Sequence, residues 1–139
     1  MLKSESITFT YDGVHKFHFP DIQLEKGESL LVLGDSGVGK TTFIQILAGL
    51  LHPYSGNITL QNTNYITMNS RELDQFRGKN IGMIFQNPYF VQNLNILENM
   101  MLSLYLSNNN QNKAYIIETL NQLGLGDKLY RKPRELSQG

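Results

Sequence analysis

The most informative stretch of the 139-residue sequence reads Gly34-Asp35-Ser36-Gly37-Val38-Gly39-Lys40-Thr41. It fits the pattern G-x-x-x-x-G-K-[ST], in which backbone N–H groups turn inward and hold phosphate oxygens. Glycine recurs because side chains at those positions would block the approach of a phosphate. A helix is predicted to begin near Lys40, and its N-terminal end carries partial positive charge. The stretch therefore predicts a phosphate-binding loop, with Lys40 on the β- and γ-phosphates and Thr41 on Mg²⁺.

The residues on both sides of this loop have the pattern that the motif requires. Residues 29–34 form a continuous apolar run, which is typical of a strand buried on both faces of a parallel sheet. Residues 40–51 carry apolar side chains at helical spacing. A buried strand before the loop and a helix after it predict an α/β fold.

Composition narrows the classes of function. The chain has 12 Lys plus Arg and 12 Asp plus Glu, so its formal net charge is zero, which argues against a nucleic-acid partner. It contains no cysteine, which excludes disulfides, Cys-zinc sites and thiol catalysis. No apolar run approaches the roughly 18 residues of a membrane span, and no signal peptide is evident. We therefore expect a cytoplasmic domain.

The remaining patterns predict a strand-rich first part and a helical second part. Alternation predicts a strand over 4–11, with Ile7, Phe9 and Tyr11 on one face. The other predicted extended segments are 17–19, 22–24, 57–61 and a second buried strand over 81–85. The other predicted helices are 70–77, with Ser70 as the candidate N-cap, 96–106 and 113–123.

Three further segments complete a resemblance to the ATP-binding cassette (ABC) ATPases, the motor subunits of ABC transporters. They are Phe9-Thr10-Tyr11-Asp12-Gly13, Ile81-Gly82-Met83-Ile84-Phe85-Gln86-Asn87-Pro88 and Leu136-Ser137-Gln138-Gly139. They look like the A-loop aromatic, the strand leading into the Q-loop, and the opening of the Leu-Ser-Gly-Gly-Gln signature. Their order and spacing match over essentially the whole chain. Residues 77–98 are most similar to the exporter branch that handles lipoproteins and macrolides.

The resemblance implies a P-loop NTPase fold of the ABC ATPase type. Residues 1–86 would hold an antiparallel β subdomain and part of the parallel core sheet, and residues 87–139 an α-helical subdomain ending in the signature. The implied function is the ATP-binding subunit of a transporter, which binds Mg-ATP and, in the complete domain, hydrolyses ATP to drive transport. The implied partners are a transmembrane permease subunit and a second ATPase protomer in a head-to-tail dimer. The permease would hold the subunit on the inner face of the cell membrane.

The same resemblance assigns roles to particular residues. Lys40 and Gln86 would be catalytic, and Thr41 and Gln86 would ligate Mg²⁺. Tyr11 would stack on adenine, and Ser137 and Gly139 would contact the γ-phosphate of the ATP held by the other protomer. The ATP-binding set is Tyr11, Gly34, Asp35, Ser36, Gly37, Val38, Gly39, Lys40, Thr41, Thr42, Ser137 and Gly139.

Each motif beyond the loop also has a structural interpretation. Tyr11 fits an edge-strand aromatic, and Gln86 fits a polar strand terminator. Ser137 and Gly139 fit an ordinary helix start, and Gln138 stands where the signature has its first glycine. In the family the region after the Q-loop receives the permease, so residues 89–94 are either a docking surface or core.

The family also carries an Asp-Glu pair after an apolar strand (Walker B), and we expect that this chain stops inside the signature and lacks that pair. Residues 29–34 would then lack neighbouring strands and expose apolar side chains, so we expect a poorly stable monomer. Two alternatives stay open. One is a soluble ABC ATPase without a transport role, and the other is a truncated nucleotide-binding remnant that does not hydrolyse ATP.

Overall fold

The computed structural model describes residues 1–87, 89–107, 109 and 112–136. Within them the strands are Leu2–Phe9 (β1), Phe17–His18 (β2), Ile22–Leu24 (β3), Ser55–Leu60 (β4) and Thr63–Asn64 (β5). The α-helices are Lys40–Leu47 (α1), Ser70–Asn80 (α2), Ile96–Leu106 (α3) and Lys113–Gln122 (α4). No described helix combines the length and the apolar character needed to cross a membrane. The chain divides into two units, Met1–Arg77 and one from Gly78 onward.

An antiparallel sheet built on β1 forms one layer of the first unit. β2 and β3 both pair with β1, β4 also pairs with β1, and β5 pairs with β4. The register places Leu2 opposite Leu24 on β3 and opposite Leu60 on β4. The alternating residues of the early sequence therefore do form strands, as predicted.

A bulge in β1 changes which side chains face the core. The pairing with β4 shifts between Glu5 and Thr8, and Ser6 between them has a φ of 54°. Because a bulge inserts an extra residue, Ser4 and Ile7 are both buried although three positions separate them. Gly56 lies beside the bulge, where a Cβ would stand 2.6 Å from the carbonyl oxygen of Glu5.

The end of β1 corrects one prediction. Ile7 and Phe9 lie in the core, as the alternation predicted, but β1 ends at Phe9 and the side chain of Tyr11 is 68% exposed. The Asp12-Gly13 turn follows immediately and takes the chain away from the sheet. Tyr11 is therefore a loop residue rather than a member of the buried strand face.

Helix α1 packs against this sheet and closes the first core. Ile46 of α1 and Ile58 of β4 are fully buried, together with Tyr65. Phe43 is also buried, while Ile44 on the other side of the helix is 44% exposed. The helix predicted over 40–51 ends at Leu47, and Ile44 is exposed although the spacing placed it among the apolar positions. The buried side chains Phe43 and Ile46 orient α1, and with it the loop that precedes the helix.

The two buried parallel strands predicted at 29–34 and 81–85 are wrong for the described part of the chain. Neither segment is a strand, and the described residues contain no parallel ladder. Leu31 and Leu33 are 77% and 79% exposed, and Ile84 is 98% exposed. A parallel strand needs neighbours that supply N–H and C=O partners and helices that cover both faces. The expectation that 29–34 would expose apolar side chains is confirmed.

The N-cap of helix α2 differs from the predicted residue. Asn69, and not Ser70, caps it: the Asn69 side chain accepts a hydrogen bond from the Glu72 N–H at 3.0 Å. The Glu72 carboxylate in turn accepts from the Asn69 N–H at 3.1 Å. This reciprocal pair is a capping box, which satisfies two N–H groups that a helix start leaves open.

The second unit is built from α3 and α4, whose predicted positions are confirmed. Its core contains Leu97 from α3, Ile116 and Leu120 from α4, and Leu129 from the following turn. Each helix starts at an asparagine whose side chain accepts a backbone N–H, Asn95 for α3 and Asn112 for α4. Local caps and one apolar face are therefore enough to explain both helices.

Candidate functional site

The loop before α1 has the backbone shape that an anion site needs. Gly37 and Gly39 have φ values of 86° and 96°, which are left-handed conformations that favour glycine. Gly39 is the N-cap, and the first helical hydrogen bond runs from the Phe43 N–H to the Gly39 carbonyl at 2.8 Å. The N–H groups of residues 40–42 precede that bond, so the helix itself does not use them. They and the positive end of the helix dipole suit a phosphate.

The Lys40 side chain folds back over this loop. Its Nζ donates to the Gly34 carbonyl at 2.8 Å and to the Asp35 carbonyl at 2.6 Å. A lysine ammonium has three donors. Two of them hold the loop, so the third can be offered to a bound anion. Lys40, the predicted phosphate-binding residue, therefore has its ammonium over the loop at the N-terminus of α1.

A cleft of about 380 Å³ opens at this position. Its lining combines two aromatic rings with the loop and the first turn of α1: Tyr11, Phe17, Ser36, Gly37, Gly39, Lys40, Thr41 and Thr42. Such a volume is in the range of small-molecule sites. The cleft can thus hold a ligand that has a flat apolar part and an anionic part.

Most of the predicted binding residues meet in this cleft. Tyr11, Ser36, Gly37, Gly39, Lys40, Thr41 and Thr42 line it. The sequence did not predict a contact between Tyr11 and the first turn of α1, yet the Tyr11 hydroxyl lies 2.8 Å from the Thr42 hydroxyl. The ring also makes T-shaped contacts with Phe9 and Phe17, whose centroids are 4.7 and 6.1 Å away. The predicted base-stacking ring is therefore placed beside the phosphate loop.

Phe17 lines the cleft although no sequence motif predicted it. It lies in the two-residue strand β2, and its ring stacks at 6.3 Å on Phe19, which stacks at 4.8 Å on Phe43 of α1. A Cβ on Gly39 would come within 3.2 Å of both Phe17 and Phe19. Nothing in the local pattern of Phe17 marked it, because its role depends on β2 folding back beside α1.

The predicted residues outside the loop region have different positions. Gln86 is an exposed residue at a bend of the second unit, and its roles as Mg²⁺ ligand and catalytic residue stay predictions. Ser137 and Gly139 lie outside the described residues. Among the side chains that the structure describes, no group of three or more His, Asp or Glu is arranged to hold a metal ion. Thr41, the predicted Mg²⁺ ligand, is exposed at the start of α1.

Apolar side chains after Gln86 are exposed, as the docking interpretation required. Tyr89 is 81% exposed, and Phe90 and Val91 are 48% and 46% exposed. The rings of Tyr89 and Phe85 make a T-shaped contact with a centroid separation of 5.2 Å. The segment is therefore not part of the second core, and its use as a docking surface stays a prediction.

Comparison with known proteins identifies the family to which this chain belongs. The family model for the ABC transporter family matches residues 18–139. The chain is 35% identical to the lipoprotein-releasing system ATP-binding protein LolD of Bacteroides thetaiotaomicron, over 100% of this chain and 65% of that protein. It is 37% identical to the LolD protein of Buchnera aphidicola subsp. Acyrthosiphon pisum, over 94% of this chain and 57% of that protein. It is 35% identical to the methionine import ATP-binding protein MetN of Helicobacter acinonychis, over 92% of this chain and 39% of that protein.

A solved structure of an ATP-binding cassette has a similar fold. The dimeric ATP-binding cassette MJ0796, in a post-hydrolysis state bound to ADP and Pi, superposes with a TM-score of 0.86 at 26% identity. The match covers 99% of this chain and 63% of that chain. The chain thus spans 65% or less of the length of these relatives. With its α/β fold of the ATP-binding cassette type, the chain belongs to the ABC transporter family.

Proposed function

We propose that this chain binds Mg-ATP as part of the ATP-binding subunit of an ABC transporter. The observation that carries the proposal is the cleft in which the Tyr11 ring, the Lys40 ammonium and the free N–H groups at the start of α1 meet. Aromatic, cationic and amide groups match the base and the phosphates of a nucleoside triphosphate.

Different residues of the cleft would bind different parts of the nucleotide. The loop amides and the third Nζ donor of Lys40 would bind phosphate oxygens. The hydroxyl of Thr41 would ligate Mg²⁺, which is usually held by one or two protein oxygens together with the substrate phosphates. When bound, the ion would neutralise negative charge on those phosphates. Tyr11 would stack on the base, a contact that tolerates different bases because it reads only a flat ring.

Hydrolysis and transport are further parts of the proposal. In the complete domain, Gln86 would contact Mg²⁺ and orient the attacking water, since an amide can orient water but cannot act as a strong base. Ser137 and Gly139 would contact ATP on a second protomer in a head-to-tail dimer. A transmembrane permease would hold the subunit on the inner face of the membrane. Support comes from the relatives, which are named as ATP-binding proteins of lipoprotein release and methionine import.

Titration with a fluorescent ATP analogue in the presence of Mg²⁺ tests the binding step. Lys40→Ala should weaken binding at least about tenfold, because the lost bonds are charge-assisted. Lys26→Ala is the matched control, because Lys26 is an exposed lysine in the turn before the loop. Equal affinity of the Lys40 variant and the unchanged chain, or no saturable binding by the unchanged chain, would contradict the proposal.

Phosphate release measured on the same samples separates two forms of the proposal. Lys40-dependent turnover by this chain alone would show that it carries a complete hydrolytic site. Binding that needs Lys40 but gives no turnover would support the nucleotide-binding remnant, which is our second candidate.

A further inference from the structure

The one side-chain hydrogen bond that the described residues make between the A-loop segment and α1 joins Tyr11 to Thr42. The two hydroxyl oxygens are 2.8 Å apart, although 31 positions separate the residues. Thr42 is only 7% exposed and sits in the first turn of α1, whereas Tyr11 is 68% exposed. A buried, fixed hydroxyl thus holds the tip of a largely exposed ring.

We propose that Thr42 is a positioning residue for Tyr11, and that the Thr42 hydroxyl holds the base-stacking ring in the lining of the cleft. This inference rests on the proposed function, because it concerns how the same site recognises the base. It adds a positioning role to Thr42, which the family resemblance names only as a member of the ATP-binding set. Through this bond, the Tyr11 ring keeps a fixed position relative to the phosphate-binding loop.

Other contacts do not supply this restraint. The ring also makes T-shaped contacts with Phe9 and Phe17, at interplanar angles of 84° and 87°, but these two residues belong to β1 and β2 and not to α1. Asp12, the next residue, organises its own turn by accepting from the N–H groups of Val14 and His15. Those bonds fix the backbone after Tyr11 but not the position of its ring. The hydroxyl bond to Thr42 is therefore the contact that fixes the ring relative to α1.

The chemistry of the threonine hydroxyl allows both roles at once. A hydroxyl can accept and donate at the same time. If Tyr11 donates to Thr42, the Thr42 hydrogen stays free for an anionic oxygen. Holding the ring in advance raises affinity, since less conformational freedom is lost when the base binds.

A double-mutant cycle tests the proposal, with ATP affinity as the measurement. Tyr11→Phe keeps the ring and removes the hydroxyl, and it should weaken binding about threefold to tenfold. In the Thr42→Val background the same change should have almost no effect, because the bond is already lost. In the Thr42→Ser background, which restores a hydroxyl, the effect of Tyr11→Phe should return. An equal effect of Tyr11→Phe in all three backgrounds would overturn the proposal.

The nucleotide-free chain provides a readout that does not need ATP. In tyrosine-labelled NMR spectra, Thr42→Val should shift the ring resonances of Tyr11, and Thr42→Ser should largely preserve them. Tyr130→Phe, at a tyrosine that is 70% exposed in the second unit, is the control and should leave the Tyr11 signals in place. Unchanged Tyr11 signals in Thr42→Val would refute the bond. A shifted signal in a chain that fails to bind ATP would reject the proposed function and keep the positioning contact.

Discussion

The phenolic hydroxyl of Tyr65 donates a hydrogen bond to the backbone carbonyl of Leu47, the last residue of α1. Tyr65 is fully buried and its ring stacks on Phe76, with centroids 5.3 Å apart. Burial raises the pKa of the Tyr65 phenol well above its ordinary value, because the charged form would lose its water. Arg77 Nη1 donates to the Gly49 carbonyl at 2.8 Å. Two side chains from later in the chain therefore satisfy carbonyls at the C-terminal end of the helix that begins at the candidate site.

Tyr65→Phe should lower the free energy of unfolding by about 1 kcal/mol, because the partly buried hydrogen bond to the Leu47 carbonyl would be lost. Thermal or urea unfolding followed by circular dichroism measures the change. Tyr54→Phe is the control, since Tyr54 is 63% exposed and its ring would still lie under the Lys16 ammonium. We expect that control to stay within about 0.5 kcal/mol of the unchanged chain. Equal loss in both variants would argue against the buried bond.

Gly39→Ala should both destabilise the chain and weaken nucleotide binding. A side chain at φ +96° costs about 1–2 kcal/mol, and the new Cβ would stand 3.2 Å from the rings of Phe17 and Phe19. Gly27→Ala is the matched control, because Gly27 has φ +91° but no atom within 4 Å of the Cβ position. We expect the Gly27 variant to lose stability but to keep its ATP affinity. A Gly39 variant that binds ATP normally would show that the cleft tolerates displaced rings.

The turn beside Tyr11 should keep its structure far into acid solution. The Asp12 carboxylate accepts first of all from the His15 side chain, and then from the N–H groups of His15 and Val14, which holds its pKa well below the ordinary value. Because the pKa of Asp12 is lower in the folded chain, its carboxylate stabilises the turn fully above the ordinary carboxyl pKa of about 3.9. That stabilisation is lost as the pH falls from this value through the lower pKa of the folded chain. The Val14 amide resonance followed from pH 7 downward should therefore stay in place through pH 4. Asp12→Asn should remove the low-pH transition, and a transition that survives in this variant would assign it to another group.

Asn95→Ala should destabilise the second unit by about 1 kcal/mol. The Asn95 side chain accepts from the Glu98 N–H at 2.9 Å, and the Glu98 carboxylate accepts from the Asn95 N–H at 2.8 Å. Hydrogen exchange of the α3 amides measures the local effect. Asn93→Ala, at an exposed asparagine two positions earlier, should change exchange little. Faster exchange in both variants would mean that the cap is not the cause.

Features set by neighbours along the chain were predictable. Helices 96–106 and 113–122 follow from apolar spacing within a few turns, and the left-handed Gly39 with the helix after it follows from the G-K-T motif. The motif order from the A-loop segment to the signature was also enough to identify the ABC family, which the comparisons confirm. These signals are short in range, so each segment carries its own evidence.

Features that depend on residues far apart in the sequence could not be predicted from local patterns. The apolar runs 29–34 and 81–85 look like buried strands, but a strand exists only where another backbone pairs with it, and the described residues supply no parallel partner. The bulge at Ser6 likewise arises from pairing with β4, nearly 50 residues later. Local alternation contains no information on either point.

The candidate site combines both kinds of feature. The loop, Lys40 and the start of α1 are contiguous residues, so their chemistry follows from the order of amino acids alone. Phe17 reaches the cleft because β2 pairs with β1, and Tyr11 reaches Thr42 because the chain after β1 turns back towards α1. Such contacts between distant residues exist only once the sheet and the helix have packed together, because packing is what offsets the entropy of closing the intervening loops.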